Sequence, residues 1–168
     1  MFFSCSQSLD FNQIDEYTIK PAFSVSLTFF TIDATSFESV AGAPPITEIS
    51  QKSDVKIFES GFIKDNLQQL DFEFEVKNEF SRDFTMEILL LDEDDNLIYK
   101  LQDLKISANN LNFNQKEVID ITKNTNVVNF TRVEVKLSLD DKVTPVDASD
   151  IGQINFKSAA TIYIEAPL

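Results

Sequence analysis

The chain has 168 residues, 43% of them hydrophobic, with 16 Phe, no His, no Trp, one Cys and a formal net charge of −14. That length and apolar content suit a single globular domain with a sizeable core. The missing imidazole removes Ser-His-Asp and Cys-His catalysis and His-based metal sites. The lone Cys removes an internal disulfide, and the acidity opposes binding to nucleic acid or anionic headgroups through charge.

Residues 1–8 read MFFSCSQS. The apolar pair and Ser4 ahead of Cys5 resemble the end of the lipobox of a bacterial lipoprotein signal peptide. The resemblance covers residues 2–5 and implies that Cys5 becomes a lipidated first residue. Acyl chains on such a Cys fix a domain to a membrane surface, since each buried methylene contributes roughly 0.8 kcal/mol. Residues 6–16 are polar, acidic and weakly patterned, which reads as a tether. The chain thus divides into a tether, 1–16, and one domain, 17–168. No run of about 18 apolar residues exists, so no transmembrane helix is expected.

Residues 17–32 read as the first long strand, with Phe23, Val25, Leu27 and Phe29 on one face and Ala22, Ser24, Ser26 and Thr28 on the other. Residues 33–53, with Gly42, Pro44 and Pro45 at their middle, read as a long surface loop that has room for a short edge strand. Residues 55–59 read as a short strand and 63–69 as a turn or a single helical turn. The segment 70–101 carries the plainest signal. Leu70, Phe72, Phe74 and Val76 alternate with Asp71, Glu73, Glu75 and Lys77. Phe84, Met86, Ile88 and Leu90 follow after the polar break at residues 81–83, and a turn at 92–96 leads into the apolar run 97–101. Short polar joins between such strands predict an antiparallel meander.

Beyond it, residues 105–106 close a strand and 108–115 are an Asn-rich loop. Residues 117–122 are ambiguous, and 122–126 read as a short helix or turn. Residues 127–139 alternate clearly, with Val133, Val135, Leu137 and Leu139 on one face. An acidic loop, 140–150, precedes the closing strand, 153–165, in which a shift of phase between Phe156 and Ala160 points to a bulge at Lys157–Ser158. Seven to eight strands without a helical period predict an all-β, antiparallel, immunoglobulin-like β-sandwich.

Three acidic groupings are candidates for chemistry. In residues 92–96, DEDDN, Asp92, Asp94 and Asn96 fall at the first, third and fifth ligand positions of an EF-hand loop. Leu97 stands where that loop needs Gly, and Asp103 where it needs Glu. A solvated hairpin turn is the expected structure, with Asp92, Asp94 and Asp95 as the residues a loose calcium site would use. Asp140, Asp141, Asp147 and Asp150 read as a solvated loop rather than a glycosidase pair. Glu73, Glu75 and Glu87 are expected to neighbour one another on an outer face, eased by Lys77 and Arg82. Asn129-Phe130-Thr131 matches the N-glycosylation triplet without further support. The Phe excess reads as core, and joint exposure of Phe30, Phe37, Phe58, Phe62 and Phe80 would mark a partner surface.

Cys5 and its tether, SLTFFTID, DNLQQLDFEFEVKNEFSRDFTMEILLLDEDDN and the terminal KSAATIYIE together resemble small lipoproteins of Bacteroidetes, the flavobacterial kind especially. The resemblance covers nearly the whole chain and implies a lipid-anchored outer-membrane protein, with the side it faces left open. No enzymatic activity and no cofactor are expected. The function expected is a protein-binding or scaffolding module of an envelope complex, with the membrane and another envelope protein as partners. The alternative is an accessory protein that binds glycan or calcium through residues 33–53 and 140–150.

Overall fold

The computed structural model describes residues 17–144, 146–147 and 150–167. The tether assigned to 1–16, with Cys5, lies outside the described residues. In chain order the strands are β1 (Thr18–Ile19), β2 (Ala22–Asp33), β3 (Glu48–Asp54), β4 (Leu67–Asn78), β5 (Phe84–Leu91), β6 (Leu97–Lys100), β7 (Leu104–Ile106), β8 (Phe113–Asp120), β9 (Arg132–Leu139), β10 (Gln153–Ile164) and β11 (Ala166–Pro167). A short helix, α1 (Gly61–Asn66), leads into β4.

Two antiparallel sheets form the body, one ordered β2-β10-β4-β8 and the other β3-β9-β5-β6, with β7 also on β5. β6 pairs with residues 89–91 of β5 and β7 with residues 84–86, so the two act as one broken edge strand. Each sheet is then four strands wide. A small β1–β11 pair continues the β2–β10 ladder in the same register, joined to it by the Ile164 amide bonding to the Pro21 carbonyl at 3.0 Å. Successive strands alternate between the layers: β2, β4, β8 and β10 lie in one sheet, and β3, β5 to β7 and β9 in the other. That wiring is a jelly roll. The predicted all-β antiparallel sandwich is present, with two packed layers and jelly-roll connections.

The period-2 rows build the core. Leu70, Phe72, Phe74 and Val76 of β4, Phe84, Met86, Ile88 and Leu90 of β5, and Ile154, Phe156, Ala160 and Ile162 of β10 are all buried. Full burial of one such large side chain contributes about 1.5–3 kcal/mol. Phe74 stacks on Phe156 and Phe156 on Phe30, while Phe37, Phe80 and Phe84 form a second ring cluster.

The predicted meander is corrected at its first join. β4 and β5 do not pair; they face each other from opposite sheets. Residues 79–83 arch over the end of the sandwich instead of making a hairpin, because Asn78 and Phe80 are buried there. The Asn78 side chain donates to the carbonyls of Arg82 (2.8 Å) and Ser107 (2.9 Å) and accepts from the Phe80 amide (3.0 Å). The short strand expected at 55–59 is a 3₁₀ turn, Ile57–Glu59. It bends the chain so that Phe58 meets Phe130 edge-on, with ring centroids 5.2 Å apart.

The bulge lies across the ladder from where the sequence pointed. β10 alternates without a break, while its register with β2 slips between Ser158 and Ala159, which pair with Thr28 and Ser26. The extra residue is therefore Leu27 of β2. Its effect is to turn Phe29 outward and Phe30 and Ile32 inward, reversing the face expected for Phe29. Ser158, itself buried, accepts from the Thr28 amide and donates to the Thr28 carbonyl, both at 3.2 Å, which ties the bulge to β10.

Candidate functional site

The acidic turn 92–96 closes on itself. Asp92 accepts from the Asp94 amide (2.9 Å), the Asn96 amide (2.8 Å) and the Asn96 side chain (3.1 Å), and the bonds from Asn96 lead in lowering its pKa. Asp95 adopts φ 63° and pairs with Lys52 at 3.0 Å and Arg132 at 2.9 Å, which likewise hold its carboxyl below the usual value. Arg132 also reaches Asp54 at 3.3 Å and the Glu93 carbonyl at 2.9 Å. This network clamps the turn to β3 and β9. Asp92 and Asp95 spend their oxygens on these partners, and Asp94 contributes its amide. Among the described residues no three acidic or cysteine side chains gather where they could share a metal ion.

The acids of the 140–150 loop are also dispersed. Asp140 accepts from the Thr85 hydroxyl (2.6 Å), Asp141 from the Val143 amide (3.0 Å), and Asp150 from the Asp147 amide (3.0 Å). Arg82 approaches Asp150 at 3.7 Å and donates to the Thr144 carbonyl at 3.2 Å. The expected Glu73–Glu75–Glu87 row is overturned by the arch, which puts Glu87 on the other sheet, paired with Lys100 at 2.7 Å. Of the Phe set, Phe37 and Phe80 are buried, Phe30 and Phe58 pack partly against the core, and Phe62 is exposed. They make no common patch. Asn129 is exposed at the end of a 3₁₀ turn.

The outer face of the β2-β10-β4-β8 sheet holds features that sequence reasoning missed. Asp71 alternates with the core residues Leu70 and Phe72, yet it is only 3% exposed. Its carboxylate accepts from Gln69 (2.6 Å), Lys116 (2.8 Å) and Tyr163 (3.0 Å). Burial works to raise its pKa, but the bonds from Lys116, Gln69 and Tyr163 outweigh it and the net shift is downward. The same contacts raise the pKa of Lys116 and Tyr163. Further along this face, Phe29, Glu75, Lys77, Glu79, Gln153, Asn155 and Lys157 line an open depression of about 370 Å³, with the Phe29 ring 65% exposed. The alternation of residues 17–32 hid Phe29, because only the bulge turns it outward.

Apolar exposure recurs along the strand margin that carries Phe29. Tyr17, Ile19, Phe23 and Phe29 are all exposed large hydrophobics within β1, β2 and the residue before them. The others are scattered singly through loops (Val40, Leu111, Val143 and Ile151), α1 (Phe62) and strands β6 (Leu97) and β8 (Val118). Scattered apolar residues are ordinary on protein surfaces, whereas a grouped set marks contact.

No protein-family model matches this chain, and no curated protein matches it in sequence. Solved structures do match. A presumed secreted protein from Parabacteroides distasonis is similar with a TM-score of 0.52 and 12% identity over 70% of this chain and 40% of that one. The infectious bursal disease virus VP2 subviral particle gives 0.42 at 12% identity, over 86% of this chain and 32% of that one. A Bacillus endospore appendage pilus gives 0.41 at 7% identity, over 98% of each. The chain spans well under half the length of the Parabacteroides protein. At these identities the likeness to that protein is one of fold.

Proposed function

We propose that this chain is a non-catalytic protein-binding or scaffolding module of the cell envelope, lipid-anchored to the outer membrane through Cys5. The observation that carries the binding role is the exposure of Tyr17, Ile19 and Phe23 along the β1 end of the first sheet's margin, with Phe29 exposed further along the same strand on its other face. A module of this kind uses a rigid β frame to present a largely preformed surface. The likeness in fold to a presumed secreted protein of a Bacteroidetes species supports a place outside the cytoplasm. So does the lipobox-like MFFSC. The test is palmitate labelling and native electrophoresis of detergent-solubilised envelopes. Label lost in Cys5→Ala, with the wild-type chain migrating in an assembly larger than itself, is the expected result. An unlabelled chain that migrates alone contradicts the reading.

A second reading, glycan capture, draws on the depression at Phe29, where an exposed ring lies among the amides of Gln153 and Asn155 and charged side chains. It places the ligand on the sheet face rather than in the end loops. Loss of retention on an oligosaccharide array in Phe29→Ala would favour it over the protein-binding reading.

A further inference from the structure

Each sheet of this sandwich has two edges, and three of the four are guarded by charge. β3 carries Glu48, Lys52 and Asp54; β8 carries Lys116, Glu117 and Asp120; β6 and β7 carry Lys100 and Lys105. The fourth edge, β2, has no charge and no proline from Ala22 to Ile32. Among the described residues β2 pairs with β10 and with no strand on its other side. Every second residue of such an edge presents its backbone N–H and C=O to water, and native sheets ordinarily blunt that template with charge, proline or a bulge. The bulge at Leu27 is the one such device in β2, and Ser158 ties the Thr28 backbone beside it to β10.

Apart from Ile32, which is buried, the core-facing residues of β2 are also incompletely covered. Phe23 is 37% exposed, and Val25, Leu27 and Phe30 are half-buried. On the adjacent β10, Phe156, Ala160 and Ile162 are at most 1% exposed. The frame is closed at β10 and unfinished at β2.

Resting on the protein-binding reading, we propose that the free edge of β2 takes an extended segment of another protein as a fifth strand of the first sheet. Main-chain hydrogen bonds along an edge supply affinity, and alternate side chains supply specificity. The Val, Phe, Ser and Thr side chains of β2 call for a segment uncharged through its middle. The net charge of −14, with Asp33 at one end of β2, calls for a basic partner around that segment. The same charge opposes a second copy of this chain, which would bring an equal −14 to the edge.

The test places a photoreactive residue at exposed Ser24 or Thr31 on β2, or at exposed Ser50 on β3, in the full chain within its native envelope. The crosslinked peptide is sequenced by mass spectrometry. The expected result is one uncharged segment of a basic protein captured from both β2 positions and not from Ser50. Ser26→Lys, which adds a charge at an exposed β2 position, should cut that yield at least tenfold. Adducts between two copies of this chain overturn the stated partner. Adducts from Ser50 alone overturn strand addition but leave the protein-binding reading standing, and an absence of adducts from all three positions overturns both.

Discussion

At the scale of single residues, Asp71 shows how a carboxylate buried on a polar face is kept charged. Gln69, Lys116 and Tyr163 converge on it from its own strand and both neighbouring strands of the sheet. Removing the carboxylate takes the shared acceptor from three donors, of which Lys116 is 48% exposed and can turn to water, so Asp71→Ala should destabilise the fold by about 1–2 kcal/mol at pH 7. Because its folded pKa is depressed below 3.8, its contribution is present above that value and lost as pH falls through the folded pKa. Acid denaturation followed by circular dichroism should therefore show a weaker loss of stability below pH 3.8 in Asp71→Ala than in the wild type. An unchanged acid limb contradicts this role. Asp120 titrates with the same sign: the Thr122 hydroxyl and Lys123 hold it down to about 2, so its contribution fades between 3.8 and that value. Asp71 was not legible beforehand, since an outward Asp in a row with Glu73 and Glu75 carries no mark of burial.

At the scale of elements, the arch at residues 79–83 decides the topology. Period-2 alternation made β4, β5, β9 and β10 legible, because each buries every second residue. It says which side chains face the core but not which sheet a strand joins, and the expected meander failed on that point. Hairpin and arch differ here by Asn78 and Phe80, a buried amide and a buried ring in a stretch that reads as a polar turn. The arch is also held from outside. Gly152 adopts φ +142°, and a Cβ there would stand 2.8 Å from the Glu79 carbonyl carbon and 3.0 Å from the Phe80 amide. Gly152→Ala should accordingly lower stability by more than about 1 kcal/mol. Gly61→Ala, at the first position of α1 with open space around it, should be near neutral. Equal thermal melting of the two variants would contradict the arch as the strained junction. The face of Phe29 was illegible for a related reason, since one inserted residue reverses every side chain after it.

At the scale of the whole molecule, a jelly roll with three charged edges and one uncharged edge is asymmetric in a way composition alone conceals. The all-β class, the roughly eight strands of the sandwich body and the location of the acidic turn were readable from periodicity and turn residues. The open edge was not, because edge or centre is a property of pairing, and β2 alternates as a central strand would. The same asymmetry gives the acidic surface a use: it discourages self-association of a chain that must keep one edge bare. The most direct test of that claim is amide hydrogen exchange by mass spectrometry, comparing the purified chain with the chain retained in its native envelope. The account predicts fast exchange at every second amide of residues 22–33 in the purified chain and slowed exchange of those amides in the envelope, with β3 and β8 unchanged. Equal exchange of residues 22–33 in the two states would contradict it.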